Sequence, residues 1–295
     1  MTPLVACRLL LLPGILGAAV LLQTDPPLRA STGAQPSTVE GLLEVDGGRI
    51  YYEMTGEGTP VIFIHDGILH RETWDEQFSE FGRSARAVRW DRRGYGRSPA
   101  PTAPFSHIAD LQALMKSLKI ERATVIGCSA GGMLALHFAL DHPTMVSALV
   151  LVGPIVSGFS FSDHFATRGG RGSPPAGASI EQKVEYWTRT DPWIMAPTST
   201  AAKARMGALM LANPTNGAGG QLARWSAPAL GRLAQIKVPT LLITGEFDIP
   251  DVHSHMGAIE AGIAGARRVV LPHAGHLPHL EVPQAFNAEV RKFVR

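Results

Sequence analysis

The chain has 295 residues, 45% of them hydrophobic, enough for one large α/β domain with a sizeable core or for two small ones. Its 27 basic and 25 acidic residues nearly cancel to a formal charge of +2, and no dense Lys/Arg run overturns that balance, so a nucleic-acid partner is not expected. The cysteines, Cys7 and Cys128, and the absence of any Cys/His spacing of the zinc kind leave neither a disulfide framework nor a metal site to expect, although His273, His276 and His279 cluster.

Residues 1–36 read as a signal peptide and linker. Arg8 supplies a positive start, Leu9 to Leu22 is almost wholly apolar, and Ala30 and Ala34 offer cleavage points. The apolar run, broken by Pro13 and Gly14, is short beside the ~20 residues a membrane span needs. Export is therefore expected, with no membrane span after cleavage. A retained N-terminal anchor and a misplaced start codon are the alternatives. Removal of Cys7 would leave Cys128 alone, with no internal disulfide.

From about Leu42 the pattern alternates between strand-like and helix-like segments. Leu42 to Met54 predicts a hairpin turned at Asp46-Gly47-Gly48. Val61 to Ile64 is an unbroken apolar run, as in a strand covered on both faces. A strand over Ala85–Trp90 follows. Ile108, Leu111, Met115 and Leu118 recur at helical spacing. Then come a strand (Ala123–Ile126), a helix (Gly131–Leu140) and a strand (Ala148–Val152). Phe159 to Ala178, rich in Gly, Ser and Pro, predicts a long loop. Ser179-Ile180-Glu181-Gln182 is a capping box opening a helix. Helical stretches are expected at Thr200–Leu211 and Gln221–Leu233. The alternation resumes with a strand (Pro239–Thr244), a helical stripe (Val252, Met256, Ile259, Ile263), a strand (Arg268–Leu271) and a closing helix opened by Pro283. The expected fold is α/β: a mostly parallel twisted sheet with helices on both faces. Residues 37–153 and 237–295 form its two parts, and residues 154–236 form a helical insertion between them.

Gly127-Cys128-Ser129-Ala130-Gly131 has the form G-x-S-x-G between a predicted strand and a predicted helix. There a sharp turn lifts the serine oxygen above the sheet, and a side chain at Gly127 or Gly131 would clash. A serine hydroxyl needs a base to take its proton and an acid to orient that base, and on such a sheet the chain order is Ser, acid, His. Asp248 follows one predicted strand and His276 the next, so Ser129, Asp248 and His276 are the expected catalytic residues. Glu246 and Asp251 are rivals to Asp248, and His273 and His279 are expected to be loop or rim residues.

With His65-Asp66-Gly67, Trp90-Asp91-Arg92-Arg93-Gly94-Tyr95-Gly96-Arg97-Ser98, the Ser129 elbow, Gly245-Glu246-Phe247-Asp248 and Gly275-His276 in this order, the chain resembles the α/β-hydrolase superfamily from about residue 42 to 295. The resemblance is to the branch of esterases, enol-lactone hydrolases, carbon–carbon hydrolases and cofactor-free haloperoxidases. It implies a cap formed by residues 154–236, an oxyanion hole from the N–H groups of Gly67 and Ala130, a structural role for Asp91 to Ser98, and no cofactor. Serine at the elbow separates the chain from relatives with Asp there, the haloalkane dehalogenases and epoxide hydrolases. The expected activity is hydrolysis of an uncharged small-molecule ester or lactone. Carbon–carbon hydrolysis, perhydrolysis and a ligand-binding receptor are the alternatives, and oligomeric state is not legible. Ile68, Cys128, Trp187, Trp193 and Met210 are candidates for the substrate pocket, from a wider apolar set that includes Phe159, Phe161, Met206 and Trp225. Asp66 stands where the family usually has Gly. It is expected to turn away and pair with Arg92 or Arg93, with protonation or contact to a substrate group as the alternatives.

Overall fold

The computed structural model describes residues 37–168, 173–175 and 177–294. The expected signal peptide and linker lie outside them. Eight strands form one sheet: β1 (Thr38–Val45), β2 (Gly48–Thr55), β3 (Pro60–Ile64), β4 (Arg86–Trp90), β5 (Ala123–Cys128), β6 (Val146–Val152), β7 (Thr240–Gly245) and β8 (Arg267–Leu271), in the spatial order β1-β2-β4-β3-β5-β6-β7-β8. The β1–β2 and β2–β4 pairings are antiparallel and all the others parallel. The hairpin turns at Asp46-Gly47, with Val45 opposite Gly48 and Gly47 at φ +67°.

Two interior strands of the sheet explain the sequence pattern. Every residue of β5 and β7 is buried, which requires cover on both faces and so selects unbroken apolar runs. The edge strand β1 instead alternates between exposed and half-buried positions. Helices α1 (Asp75–Phe81), α2 (His107–Ser117) and α3 (Ala130–Asp141) connect β3 to β4, β4 to β5 and β5 to β6. The sequence reading passed over α1, although Trp74, Phe78 and Phe81, all buried, stand at helical spacing.

Among the described residues, the chain between β6 and β7 contributes no strand to the sheet. It holds α4 (Asp163–Thr167), α5 (Ile180–Glu185) and α6 (Thr200–Ala212). The capping box at Ser179 forms as expected, with both reciprocal bonds present. Two expectations are corrected. The predicted loop over Phe159–Ala178 contains α4, because Ser162 caps it by accepting from the Phe165 N–H, and Asp251 holds Ser162 in place. The helix expected at Gln221–Leu233 is replaced by short 3-10 turns at Gly220–Leu222 and Leu230–Gln235. Between them Arg224 N–H donates to the Phe105 carbonyl at 2.8 Å, so the backbone is held by a distant segment, and Pro228 removes a helical donor. After β7 come α7 (Pro250–Gly262), then β8, α8 (Pro278–Glu281) and α9 (Pro283–Phe293). Helix α1 packs on α9, and α2 on α3. No helix among the described residues is long and apolar enough to cross a membrane.

Candidate active site

Ser129 is the single residue between β5 and α3, at φ +53° and ψ −115°. A non-glycine residue held there costs on the order of 1–3 kcal/mol, and the surroundings must impose it. Its N–H donates to the Val152 carbonyl at 2.8 Å, and its carbonyl accepts from Met133 N–H at 3.0 Å. The two glycines of the motif permit the close approach. A Cβ on Gly127 would lie 2.3 Å from the Gly131 carbonyl oxygen, and one on Gly131 would lie 2.5 Å from the carbonyl oxygens of Ile64 and His65.

His276 and Asp248, on the loops after β8 and β7, meet with Nδ1 2.7 Å from Oδ1, both buried. The carboxylate is itself held. Ile249 N–H donates to Oδ1 at 2.7 Å and the Thr244 hydroxyl to Oδ2 at 2.6 Å. Burial pushes the His276 imidazole down, but the charge of Asp248 and its hydrogen bond, with a further contribution from Asp66, carry it above its ordinary 6.5. The rivals have other partners: Glu246 accepts from His273 N–H at 3.2 Å, and Asp251 holds Ser162. His279 corrects an expectation. It is fully buried rather than at a rim, stacks on Trp74 at 4.1 Å and lies 2.9 Å from the Thr73 hydroxyl. Burial, with the nearby His276, depresses it to about 3.

The His65-Asp66-Gly67 turn sets the direction of one backbone donor. Arg92 N–H donates to His65 Nε2 at 3.0 Å, which leaves Nδ1 to carry the proton and donate to the Asp66 carbonyl at 2.8 Å. Burial and the Arg92 charge keep that imidazole neutral, well below its usual range. The Arg92 guanidinium donates to the same carbonyl. In a planar trans peptide the N–H points opposite the C=O, so the Gly67 N–H faces away from His65 and Arg92. A Cβ on Gly67 would sit 3.6 Å from that of Ala130, so the two expected oxyanion donors are neighbours. The Tyr95 hydroxyl donates to the Gly67 carbonyl at 3.2 Å. Asp91 to Ser98 serves the backbone: Asp91 accepts from the N–H groups of Arg71 and Arg97, and Ser98 bridges Asp91 and Tyr51.

Ser129, His276, Gly67, Ile68 and Trp187 line one cavity of about 310 Å³, with Phe161, Phe165 and Arg168 of the β6–β7 segment on its walls. Three pocket expectations are corrected. Cys128 is enclosed in the core at the end of β5, where burial pushes its thiol well above the usual range. Trp193 lies outside the cavity lining; its carbonyl accepts from His276 N–H at 3.0 Å, so it places the histidine loop. Met210 lines a neighbouring hollow that shares Gly67, Ile68 and Trp187. Asp66 also departs from expectation. It does not pair with Arg92, which binds its carbonyl, or with Arg93, which binds Asp110 at 2.7 Å. Its Oδ1 accepts from the N–H groups of Ile68 (2.7 Å) and Leu69 (2.9 Å), and the residue lines the cavity. Among the described residues no cluster of three or more His, Cys, Asp or Glu is placed to hold a metal ion.

A model of the alpha/beta hydrolase fold matches residues 59–283. The chain belongs to this family. It is 27% identical to the 2-hydroxy-6-oxo-6-phenylhexa-2,4-dienoate hydrolase of Comamonas testosteroni over 83% of this chain and 91% of that one. Among solved structures, an N-acyl homoserine lactone degrading enzyme matches at 27% identity and a TM-score of 0.70, covering 86% of this chain and 100% of the other. A hydrolase from Pseudomonas aeruginosa PA01 matches at 27% identity and a TM-score of 0.72, covering 86% and 98%.

Two residues of this alpha/beta hydrolase escaped the sequence reading. Glu281 ties the histidine loop to the β6–β7 segment. It accepts from Gly275 N–H on one oxygen, and from Ala196 N–H and the Ser199 hydroxyl on the other. Gly153, at φ +48° just past β6, lies against the His276–Asp248 pair. A Cβ there would come within 2.9 Å of His276 Nδ1 and Cε1 and 3.0 Å of Asp248 Oδ2. Nothing in a lone glycine after a strand signals this. Gly153→Ala should lower kcat/KM by about a hundredfold, the effect of displacing a catalytic group by about 1 Å. Circular dichroism should show the fold retained. Activity within threefold of the parent would remove Gly153 from this role.

Proposed function

We propose that this hydrolase cleaves carboxylic esters or lactones through an acyl-enzyme. Ser129 attacks the carbonyl carbon as His276 takes its proton, and Asp248 holds and stabilises the imidazolium. The N–H groups of Gly67 and Ala130, the latter at the start of α3, receive the charge that develops on the carbonyl oxygen. His276 then returns the proton to the leaving alcohol, and water, activated by the same imidazole, releases the acid. The observation that carries this reading is the His276–Asp248 bond of 2.7 Å, with His276 and Ser129 lining one cavity. Ile155, Ile249, Val252 and Leu277 make much of the lining apolar, which suits partly hydrophobic, uncharged substrates. The lactone-degrading structural relative adds support for lactones among them.

Carbon–carbon bond hydrolysis with the same three residues is the second reading, favoured by the Comamonas relative. One panel separates them: short p-nitrophenyl esters, γ- and δ-lactones, and vinylogous diketone acids. Turnover of esters or lactones at least tenfold above the diketones is expected. Faster diketone cleavage would replace the ester reading with the second. A preference for strongly charged small esters would contradict the apolar lining.

A further inference from the structure

Asp66 is only 2% exposed and lines the cavity that Ser129 also lines, yet its carboxylate is only half used. Oδ1 takes the N–H groups of Ile68 and Leu69 and so shapes the turn that presents Gly67. Oδ2 is enclosed and has no hydrogen-bond partner among the described residues. The two arginines expected as its partners are engaged elsewhere: Arg92 donates to the Asp66 main-chain carbonyl, and Arg93 to Asp110 and the Asp46 carbonyl. Arg168, the arginine lining the cavity, sits 2.6 Å from Asp191. A buried carboxylate oxygen without a donor is costly. Here it also stands one residue from a backbone N–H assigned to the oxyanion, whose charge it opposes. Its field reaches His276 and Cys128.

The first of these penalties disappears if the substrate brings the missing donor. Because Asp66 adjoins Gly67, whose N–H meets the carbonyl oxygen, the substrate atoms it reaches are those attached to the carbon beside the carbonyl. We propose that Asp66 is a specificity-determining residue that selects acyl groups carrying a hydrogen-bond donor, O–H or N–H, on the carbon next to the scissile carbonyl. This rests on the ester reading above and narrows its substrate class. A substrate lacking the donor leaves Oδ2 unpaired in the complex, which is how a polar site rejects an isosteric apolar analogue.

The test compares three benzyl esters of nearly equal acyl size, assayed at about pH 9 so that the amine is uncharged: L-lactate (O–H), L-alaninate (N–H) and propionate (no donor). The wild-type kcat/KM should favour lactate, alaninate or both over propionate by about 100-fold. Lactate leading marks a hydroxyl subsite and alaninate leading an amine subsite, and either supports the proposal. Asp66→Ser should bring the favoured ratio to within threefold of one, because its hydroxyl can keep the turn N–H groups while no second oxygen remains. Asp66→Asn, which keeps the shape and puts an N–H2 group in place of the acceptor, should lower the ratio at least tenfold and serves if the serine variant does not fold. A wild-type ratio below tenfold overturns the proposal whatever the variants do, and so does a ratio that survives both substitutions. If propionate is hydrolysed in a Ser129-dependent way at the same rate as the others, only this inference fails. If no ester is hydrolysed, or hydrolysis survives Ser129→Ala, the ester reading fails with it.

Discussion

Ser129→Ala should lower kcat for short p-nitrophenyl esters by about a millionfold, the size of effect seen when a serine nucleophile is removed from a working triad. The residue has no substitute. Cys128, the neighbouring thiol, is enclosed in the core and held protonated by burial, so it cannot take over attack. Removing His276 as well should cost almost nothing more, because the base has no function without the hydroxyl it serves. The same variant should lose labelling by a fluorophosphonate, which phosphonylates an activated serine. Labelling of Ser129→Ala at the parent rate would sink the assignment. A wild-type protein that neither labels nor turns over any ester would point to the ligand-binding reading instead. The substitution should leave stability intact or raise it, since strained functional positions exchange stability for activity. Thermal unfolding checks this.

Asp248→Asn should lower kcat by about 10⁴-fold with the fold preserved, because an amide can hold the imidazole but favours the wrong tautomer and brings no charge. The pH dependence gives a second readout. The base works when neutral, so kcat/KM rises with pH through the His276 pKa. In the parent that limb lies above 6.5, because the Asp248 charge outweighs the effect of burial. Without that charge the limb should move to lower pH while the plateau collapses. Thr244 binds the Asp248 oxygen that does not meet the imidazole, and Ile249 N–H binds the one that does, so together they should hold the replacement in place. A variant within tenfold of the parent, or one whose acid limb does not move, would mean that Asp248 does not orient the base.

The β6–β7 segment connects the cavity wall with the His276 loop. Phe161, Phe165, Arg168 and Trp187 line the cavity, while the carbonyls of Trp193 and Ile194 receive the His276 backbone N–H. Asp191 fixes that turn by accepting from the N–H groups of Trp193 and Ile194, and Arg168 pairs with Asp191. The segment that shapes the pocket therefore also positions His276.

Much of the fold and the principal site residues were legible in the chain because short-range chemistry decides them. A strand buried on both faces must be an unbroken apolar run, and β3, β5 and β7 are written that way. A turn as tight as the one at Ser129 admits only glycine at its flanks, so Gly127 and Gly131 mark it. Asp248 and His276 could be found because each follows a recognisable strand, and parallel strands bring their carboxyl ends to one edge. What escaped depends on contacts between residues far apart in the chain. Gly153 matters because two distant loops close over it. Glu281 matters because the β6–β7 segment lies against it. Cys128, Trp193 and Met210 are as apolar as any pocket residue, and only the packing sends their side chains to the core, to His164 and to the next hollow. Asp66 is the sharpest case. Its neighbours Arg92 and Arg93 are the natural partners by charge, but the fold commits one to a backbone carbonyl and the other to Asp110. Charge can be counted along a chain, whereas which charges meet is decided by where the backbone places them.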